Sequence, residues 1–151
     1  MIYADTNFFT NILVEMPHSA EAGSLLGVSD EPLPVTWLHR FEVVNAIQQC
    51  VFLARHGMQQ LRITPEFALA AEASFIEAVT LGVWCCPMDV QIAELETVFQ
   101  DIAHRHTAKE GFRTYDILHV SSALVLGCDT FWSFDAKAKR LAKLEGLKVN
   151  G

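Results

Sequence analysis

Four acidic side chains in this sequence could together carry metal chemistry: Asp5, Glu42, Asp116 and Asp135. Two of them follow short apolar runs that predict strands, and two lie near the predicted starts of helices. If those ends meet at one edge of a sheet, the four carboxylates converge, and like charges at close range raise one another's pKa. Mg²⁺ or Mn²⁺ would relieve the repulsion, because these ions prefer carboxylate oxygens and retained waters. Such an ion can activate water and neutralise charge on a phosphodiester.

Each of these acids also has a purely structural interpretation. Asp5 and Asp135 could cap the helices that follow them, since a carboxylate at that position accepts backbone N–H bonds. Glu42 and Asp116 could offset the dipole of a helix first turn. Spacing alone leaves both interpretations open.

The elements that must position these side chains alternate along the chain. Apolar runs predict strands at residues 2–4, 35–37, 82–87, 130–134 and 147–149. Helical periodicity and capping residues predict helices from residue 6 or 7, over 19–27, from 38 to near 57, from 65 to about 80, from 89 to about 106, from 114 or 115 to 126, and over 136–144. We predict a loop at residues 107–113. Short strands alternating with helices indicate a parallel sheet covered on both faces, with ligands beyond the carboxyl ends of its strands.

The composition favours one folded domain over residues 1–151. Of the 151 residues, 51% are hydrophobic and 19% charged, enough to build a single core without disulfides or a second domain. No apolar run approaches the ~20 residues of a membrane span, and no basic segment precedes an apolar stretch at the N-terminus, so we expect a cytoplasmic protein. The four cysteines show no C-x-x-C pair or zinc spacing, and we predict buried thiols at Cys50, Cys85, Cys86 and Cys128.

Charge is distributed unevenly along the chain. The net charge of −7 divides into −9 over residues 1–100 and +2 over residues 101–151. Nonspecific duplex binding needs clustered Lys and Arg, so this balance argues against that class. It does not exclude an enzyme that meets phosphates through a metal ion.

The sequence resembles PIN domains, the metal-dependent ribonuclease domains of VapC-type toxins, in four segments that occur in the family's order. These span residues 1–149 and are Ile2-Tyr3-Ala4-Asp5-Thr6-Asn7, Glu42-Val43-Val44-Asn45-Ala46, the run from Tyr115 to Leu124, and Trp132-Ser133-Phe134-Asp135. The resemblance implies a three-layer α/β/α sandwich with a central parallel sheet. It also implies cleavage of single-stranded RNA with Mg²⁺ or Mn²⁺ as the cofactor.

Carried over position by position, the resemblance assigns the metal site to Asp5, Glu42, Asp116 and Asp135. Asp5, Asp116 and Asp135 would hold the ion, and Glu42 would complete the shell or orient the attacking water. Supporting positions are Thr6 and Asn7, beside the first aspartate, and Ser133, where the family often has threonine.

Basic residues near two of the acids are candidates for substrate binding. Lys137 and Arg140, with Lys139, follow Asp135 on a predicted helix, and Arg113 precedes Asp116 by three residues. They could contact phosphates, or they could form an ordinary solvated face.

Histidines and tryptophans are weaker candidates. We interpret His119 as a core or supporting residue, while His104, His106 and Lys109 would contact substrate or nothing. The three tryptophans, Trp37, Trp84 and Trp132, are predicted to be core residues rather than platforms for stacked bases.

The resemblance further implies a cognate antitoxin and a homodimer. Two related alternatives stay open, an RNA-processing enzyme that is not a toxin and a noncatalytic binding module. A phosphoaccepting receiver domain and a haloacid-dehalogenase-type phosphatase are disfavoured, because Thr6-Asn7 follows Asp5 where they need a further acid. No Gly-rich phosphate loop supports nucleotide hydrolysis.

Overall fold

The computed structural model describes residues 1–57 and 61–151, which divide into two compact units. The first unit comprises Met1–Asp5 with Met88–Gly151, and the second comprises Thr6–Pro87. The single domain over residues 1–151 stays a prediction.

The first unit contains a three-stranded parallel sheet. Its elements are β1 (Ile2–Ala4), α5 (Ile92–Ile102), a π-helical turn (Ala103–Thr107), α6 (Ala108–Glu110), α7 (Thr114–Val125), β4 (Thr130–Trp132), α8 (Ala136–Leu144) and β5 (Lys148–Val149). The strand order is β1-β4-β5, with Ile2 opposite Thr130 and Thr130 opposite Lys148. Because the three strands are parallel and paired in this register, their carboxyl ends lie at the same edge of the sheet.

Aromatic side chains on two strands form the centre of this unit's core. Tyr3 and Phe131 are fully buried, and their rings stack with centroids 5.8 Å apart. Apolar residues of the flanking helices complete the cluster, among them Ile102, Ile117, Val120 and Leu141. Parallel strands flanked by helices confirm the predicted α/β fold class with a central parallel sheet.

The second unit contains a two-stranded parallel sheet and four helices within its described residues. Its elements are α1 (Thr6–Leu13), α2 (Ser19–Gly27), β2 (Leu33–Val35), α3 (Trp37–Arg55), α4 (Pro65–Leu81) and β3 (Cys85–Pro87). The buried ring of Phe9 lies among His39, Phe75 and Trp84, with centroid distances between 5.0 and 5.9 Å.

Helix α3 buries only part of the face that its apolar spacing predicts, which comprises Phe41, Val44, Ile47, Val51 and Ala54: Ile47 and Val51 are buried, whereas Phe41 and Val44 are exposed. The period is helical as predicted, but Phe41 is 71% exposed, whereas Val43, Ile47 and Cys50 are buried. Apolar residues occur on both sides of this helix, so periodicity identifies the helix without selecting its core face.

Several predicted boundaries are wrong by a few residues. The strand predicted at 35–37 is β2, which ends at Val35, and Thr36 precedes α3 in extended conformation. Trp37 is the first residue of α3 and is exposed rather than part of the core. The loop predicted at 107–113 is helical through Glu110, because no residue there breaks a helix before Gly111, which takes a left-handed φ of 67°. The helix predicted from residue 89 begins at Ile92.

The cysteine prediction holds for three of the four thiols. Cys50, Cys85 and Cys128 are buried, whereas Cys86 is half-buried. Burial, together with the neighbouring Cys86, raises the pKa of Cys85 to about 12, and burial raises the pKa of Cys128 to about 11. These two thiols stay protonated near neutral pH and are poor nucleophiles. In the described part of the chain, no helix is long and apolar enough to cross a membrane.

Glu145 holds together the end of α8 and the π-helical turn of the first unit. Its buried carboxylate accepts two 2.7 Å bonds from Arg105, and its Oε1 lies 2.6 Å from His106 Nε2. The bonds from Arg105, opposed by burial and assisted by His106, lower the pKa of Glu145 from its ordinary 4.5.

We expect Glu145→Gln to lower the free energy of unfolding by about 1.5–3 kcal/mol at pH 7, since bonds to a charged group are lost. The folded-state pKa is depressed, so this contribution is complete above pH 4.5 and disappears as the pH falls through the folded value. Urea unfolding at pH 7 and at successive values below 4.5 measures both effects.

Glu110→Gln is the matched control for that measurement. Glu110 pairs with Arg140, whose side chain is 63% exposed, so this loss should stay within about 1 kcal/mol. Equal losses in the two variants, or a Glu145→Gln deficit that persists in acid, would contradict the assignment.

Candidate functional site

Three polar side chains follow the three parallel strands of the first unit at one sheet edge. Asp5 follows β1, Ser133 follows β4 and Asn150 follows β5. The backbone N–H of Asp5 donates to the Trp132 carbonyl at 3.0 Å, which continues the strand pairing to the acid itself. All three side chains are buried, so their polar atoms need partners within the protein.

Ser133 connects Asp5 with Asp135. Its hydroxyl donates to Asp5 Oδ2 at 2.6 Å and accepts from the backbone N–H of Asp135 at 2.9 Å. Threonine carries the same hydroxyl, so Ser133 preserves the chemistry of the residue that the family often has here. The supporting role predicted for Ser133 thus has a geometric basis in this unit.

Asp135 caps α8 with one carboxylate oxygen and leaves the other for a cation. Oδ1 accepts from the backbone N–H groups of Lys137 at 2.7 Å and Ala138 at 3.2 Å, and Oδ2 accepts from Arg113 at 2.7 Å. Partial burial raises the pKa of Asp135, but those amides and the Arg113 guanidinium outweigh it, and the net direction is downward. The capping interpretation is therefore confirmed, and it is compatible with a second role.

Asp116 lies on the first turn of α7 and is also bonded to Arg113. Its Oδ2 accepts from the Arg113 backbone N–H at 3.2 Å and from Nε at 3.0 Å, and its Oδ1 accepts from Nη2 at 3.0 Å. The side chain of Asp116 is 8% exposed, whereas that of Arg113 is 63% exposed. The paired carboxylates raise the pKa of Arg113 and keep it charged.

Three of the four predicted acids therefore belong to one hydrogen-bonded network. It runs from Asp5 through Ser133 to Asp135, and from Asp135 through Arg113 to Asp116. Its oxygen donors are of the type that suits a hard divalent cation. Over residues 1–57 and 61–151, however, no three His, Cys, Asp or Glu side chains are grouped closely enough to hold a metal ion. Carboxylate oxygens suit the predicted Mg²⁺ or Mn²⁺ ion. In this arrangement, however, the carboxylates of Asp116 and Asp135 are paired with Arg113.

Glu42 belongs to the second unit. It is half-buried on the second turn of α3, rather than the first, and its Oε2 accepts from the Thr6 hydroxyl at 2.8 Å. Thr6 is the chain neighbour of Asp5. Asn7 is exposed, and its side-chain oxygen accepts from Asn11 Nδ2 at 3.2 Å within α1.

The predicted phosphate-binding side chains of α8 contact the segment before Arg113. Lys137 Nζ donates to the Gly111 carbonyl at 3.1 Å, and Arg140 donates to Glu110 at 2.8 Å. Lys139 instead donates to the Gly151 carbonyl at 3.1 Å. These bonds are exposed, and the substrate-binding role of Lys137 and Arg140 stays a prediction.

The histidines make structural contacts. His119 is buried, and its Nδ1 lies 2.9 Å from the Tyr3 hydroxyl, as the core interpretation predicts. His106 bonds Glu145, and His104 is exposed.

Asn150 is a site residue that the sequence analysis missed. Its side-chain oxygen accepts from the Ser133 backbone N–H at 2.9 Å, which fixes the turn that connects Asp5 with Asp135. Among the described residues, its buried Nδ2 has no hydrogen-bond partner. The available signal was its position directly after the last predicted strand, equivalent to that of Asp5 after the first.

We expect Ser133→Ala to lower the free energy of unfolding by about 1–3 kcal/mol, because the buried Asp5 carboxylate loses its 2.6 Å donor. Ser133→Thr keeps the hydroxyl and should stay within about 1.5 kcal/mol of the wild type. Chemical denaturation of the three proteins tests this, and equal losses for Ala and Thr would assign the effect to packing.

Solved structures with this fold include toxin proteins. VapC20 from Mycobacterium tuberculosis, described as a Sarcin-Ricin loop cleaving toxin, matches with a TM-score of 0.69 at 16% identity, and the match covers 100% of both chains. VapBC2 from Rickettsia felis, bound to a DNA fragment from its promoter, gives 0.64 at 15% identity over 99% of this chain and 98% of that one. VapBC-1 from nontypeable Haemophilus influenzae gives 0.62 at 16% identity over 99% of this chain and 97% of that one.

No protein-family model matches the sequence. No curated protein matches it either. The structural likeness at 14–16% identity defines the fold class, which is the PIN-like fold of VapC20 and the VapBC structures. The fold that the sequence resemblance implies is therefore confirmed.

Proposed function

We propose that this chain is an Mg²⁺- or Mn²⁺-dependent endoribonuclease and the toxin of a VapBC-type toxin–antitoxin pair. One observation carries the proposal: Asp5, Asp135 and Asp116 occur in a single network beyond the carboxyl ends of parallel strands. Ligand sites of α/β folds lie at that edge. The fold is shared with a toxin described as cleaving the Sarcin-Ricin loop, which makes RNA the substrate class we propose.

Asp5, Asp116 and Asp135 would hold the ion, with Glu42 completing the shell or orienting water. When bound, the ion would supply an activated water and neutralise charge on the phosphodiester. The protein's own contribution is to fix the oxygens in advance. Ser133 orients Asp5, Asn150 fixes Ser133, and the amides of α8 hold one oxygen of Asp135. These bonds hold the carboxylates in a fixed geometry before the substrate binds.

Basic side chains beside this network would bind the RNA backbone. Arg113 and Arg140 are each 63% exposed, and Lys137 lies on the same helix as Arg140. Exposed Arg and Lys side chains supply the phosphate contacts of nucleic-acid complexes.

A cognate antitoxin is the protein partner we propose. Structures with this fold include VapBC and FitAB assemblies. Residues 1–100 carry a net charge of −9, which favours a basic antitoxin segment by electrostatic complementarity. We also propose a homodimer. A small reading frame beside this gene, whose product copurifies with the chain, would distinguish a toxin from an RNA-processing enzyme.

Metal removal tests the enzymatic proposal directly. Purified protein with end-labelled RNA should cleave it in millimolar Mn²⁺ and lose that activity in excess EDTA, with recovery when Mn²⁺ is restored. Cleavage that persists in EDTA would contradict metal dependence. RNA binding without cleavage under all of these conditions would instead indicate a noncatalytic module.

A further inference from the structure

The guanidinium of Arg113 lies between two of the three aspartates in the first unit. Its Nη2 donates to Asp116 Oδ1 at 3.0 Å and to Asp135 Oδ2 at 2.7 Å, and its Nε donates to Asp116 Oδ2 at 3.0 Å. One positive charge therefore satisfies three carboxylate oxygens. Planar, forked donors make arginine well suited to such a contact.

The arginine is easier to move than the carboxylates. Its side chain is 63% exposed, and an exposed ion pair contributes only about 0–1 kcal/mol. Asp116 is nearly buried and also accepts from the Arg113 backbone N–H, while Asp135 is held by two amides of α8. Those backbone bonds persist if the guanidinium turns into solvent, so the acids would keep their places.

A divalent cation and this guanidinium compete for the same oxygens. A hard cation needs direct contact with carboxylate oxygens, and Asp116 Oδ1 and Asp135 Oδ2 are both bonded to a single nitrogen of Arg113. Positive charges a few ångströms apart also repel strongly away from bulk water. Occupancy by one cation therefore disfavours the other.

We propose that Arg113 is an internal counter-cation that competes with Mg²⁺ or Mn²⁺ for Asp116 and Asp135. A divalent ion binds only as the guanidinium leaves, so Arg113 sets the ion concentration at which the site fills. This inference rests on the proposed metal-dependent function. It adds a role for Arg113 that differs from phosphate binding, because it operates without RNA.

Mn²⁺ titration of the full-length chain by isothermal calorimetry, without RNA, tests the competition. Arg113→Gln removes the charge and should bind Mn²⁺ about fivefold to tenfold more tightly than the wild type, since the competing ion pairs are lost. Arg113→Lys retains a positive charge and should stay closer to the wild type. Arg105→Gln is the matched control: it removes an ion-paired arginine of the same unit that lies outside the network and should change the dissociation constant less than about twofold.

A thermal-shift series supplies a second measurement on the same proteins. Without added metal, Arg113→Gln should melt slightly below the wild type, because Asp116 and Asp135 lose their counter-charge. With millimolar Mn²⁺ the difference should disappear, because the ion then occupies the carboxylates in both proteins and the larger gain of Arg113→Gln offsets its metal-free loss.

Two further outcomes separate this inference from the proposed function. If the wild type binds Mn²⁺, Asp116→Asn does not, and Arg113→Gln binds equally or more weakly, the competition is overturned while the metal site stands. If neither the wild type nor Arg113→Gln binds Mn²⁺ at millimolar concentration, the metal-dependent function and the competition both fail.

Discussion

Asp135→Asn is expected to reduce RNA cleavage about a thousandfold, equivalent to about 4 kcal/mol of transition-state stabilisation, with little change in melting temperature. Activity should fall while the melting temperature stays nearly constant, because the two carboxylate oxygens of Asp135 have different partners. Oδ1 accepts the α8 amides at 2.7 and 3.2 Å, and asparagine is an equally good N-cap. The charge on Oδ2, which here meets Arg113, is lost.

The measurement is a single-turnover cleavage assay in Mn²⁺ beside thermal unfolding of the same preparations. Asp5→Asn should lose activity by a comparable factor. Asp101→Asn is the matched control, because Asp101 also pairs with an arginine of the first unit but lies outside the network, and its side chain is 64% exposed. Wild-type activity in both Asp5→Asn and Asp135→Asn would refute the proposed site.

Phe131→Ala is expected to lower the free energy of unfolding by about 3–5 kcal/mol, a large fraction of the 5–15 kcal/mol typical of a folded protein. Phe131 is fully buried on the middle strand of the first unit, where its ring stacks on Tyr3 with an interplanar angle of 8°. Its removal would leave a cavity at the centre of the core of the first unit.

Phe41→Ala provides the comparison for this stability measurement. Phe41 is 71% exposed on α3, so its truncation should change the unfolding free energy by less than about 1 kcal/mol. Urea denaturation of the two variants and the wild type measures both differences. A Phe131→Ala loss no larger than that of Phe41→Ala would place the core elsewhere.

Local sequence was sufficient for most of the secondary structure. The helices Ser19–Gly27 and Ala136–Leu144 lie where they were predicted. For the second of them, the Asp135 cap and the left-handed Gly146 act within a few residues of the helix ends.

The same reasoning identified Asp5 directly after β1 and Asp116 at the start of α7. The strand predicted at 130–134 ends at Trp132, so Asp135 lies three residues beyond β4, as the N-cap of α8. This reasoning held only in part for the buried face of α3, where apolar side chains occur on both sides and the neighbouring elements decide which of them are covered.

The sequence by itself determined the α/β class and the position of Asp5 directly after a strand, since both depend on neighbours along the chain. It left the capping and metal-binding interpretations of Asp135 open. The tertiary structure alone decided that Ser133 connects to Asp5 across 128 positions, that Asn150 fixes Ser133, and that Arg113 bridges Asp116 and Asp135. These contacts bring together groups that are remote in sequence. Which buried donor meets which acceptor depends on strand order and register, and side-chain type does not encode that pairing.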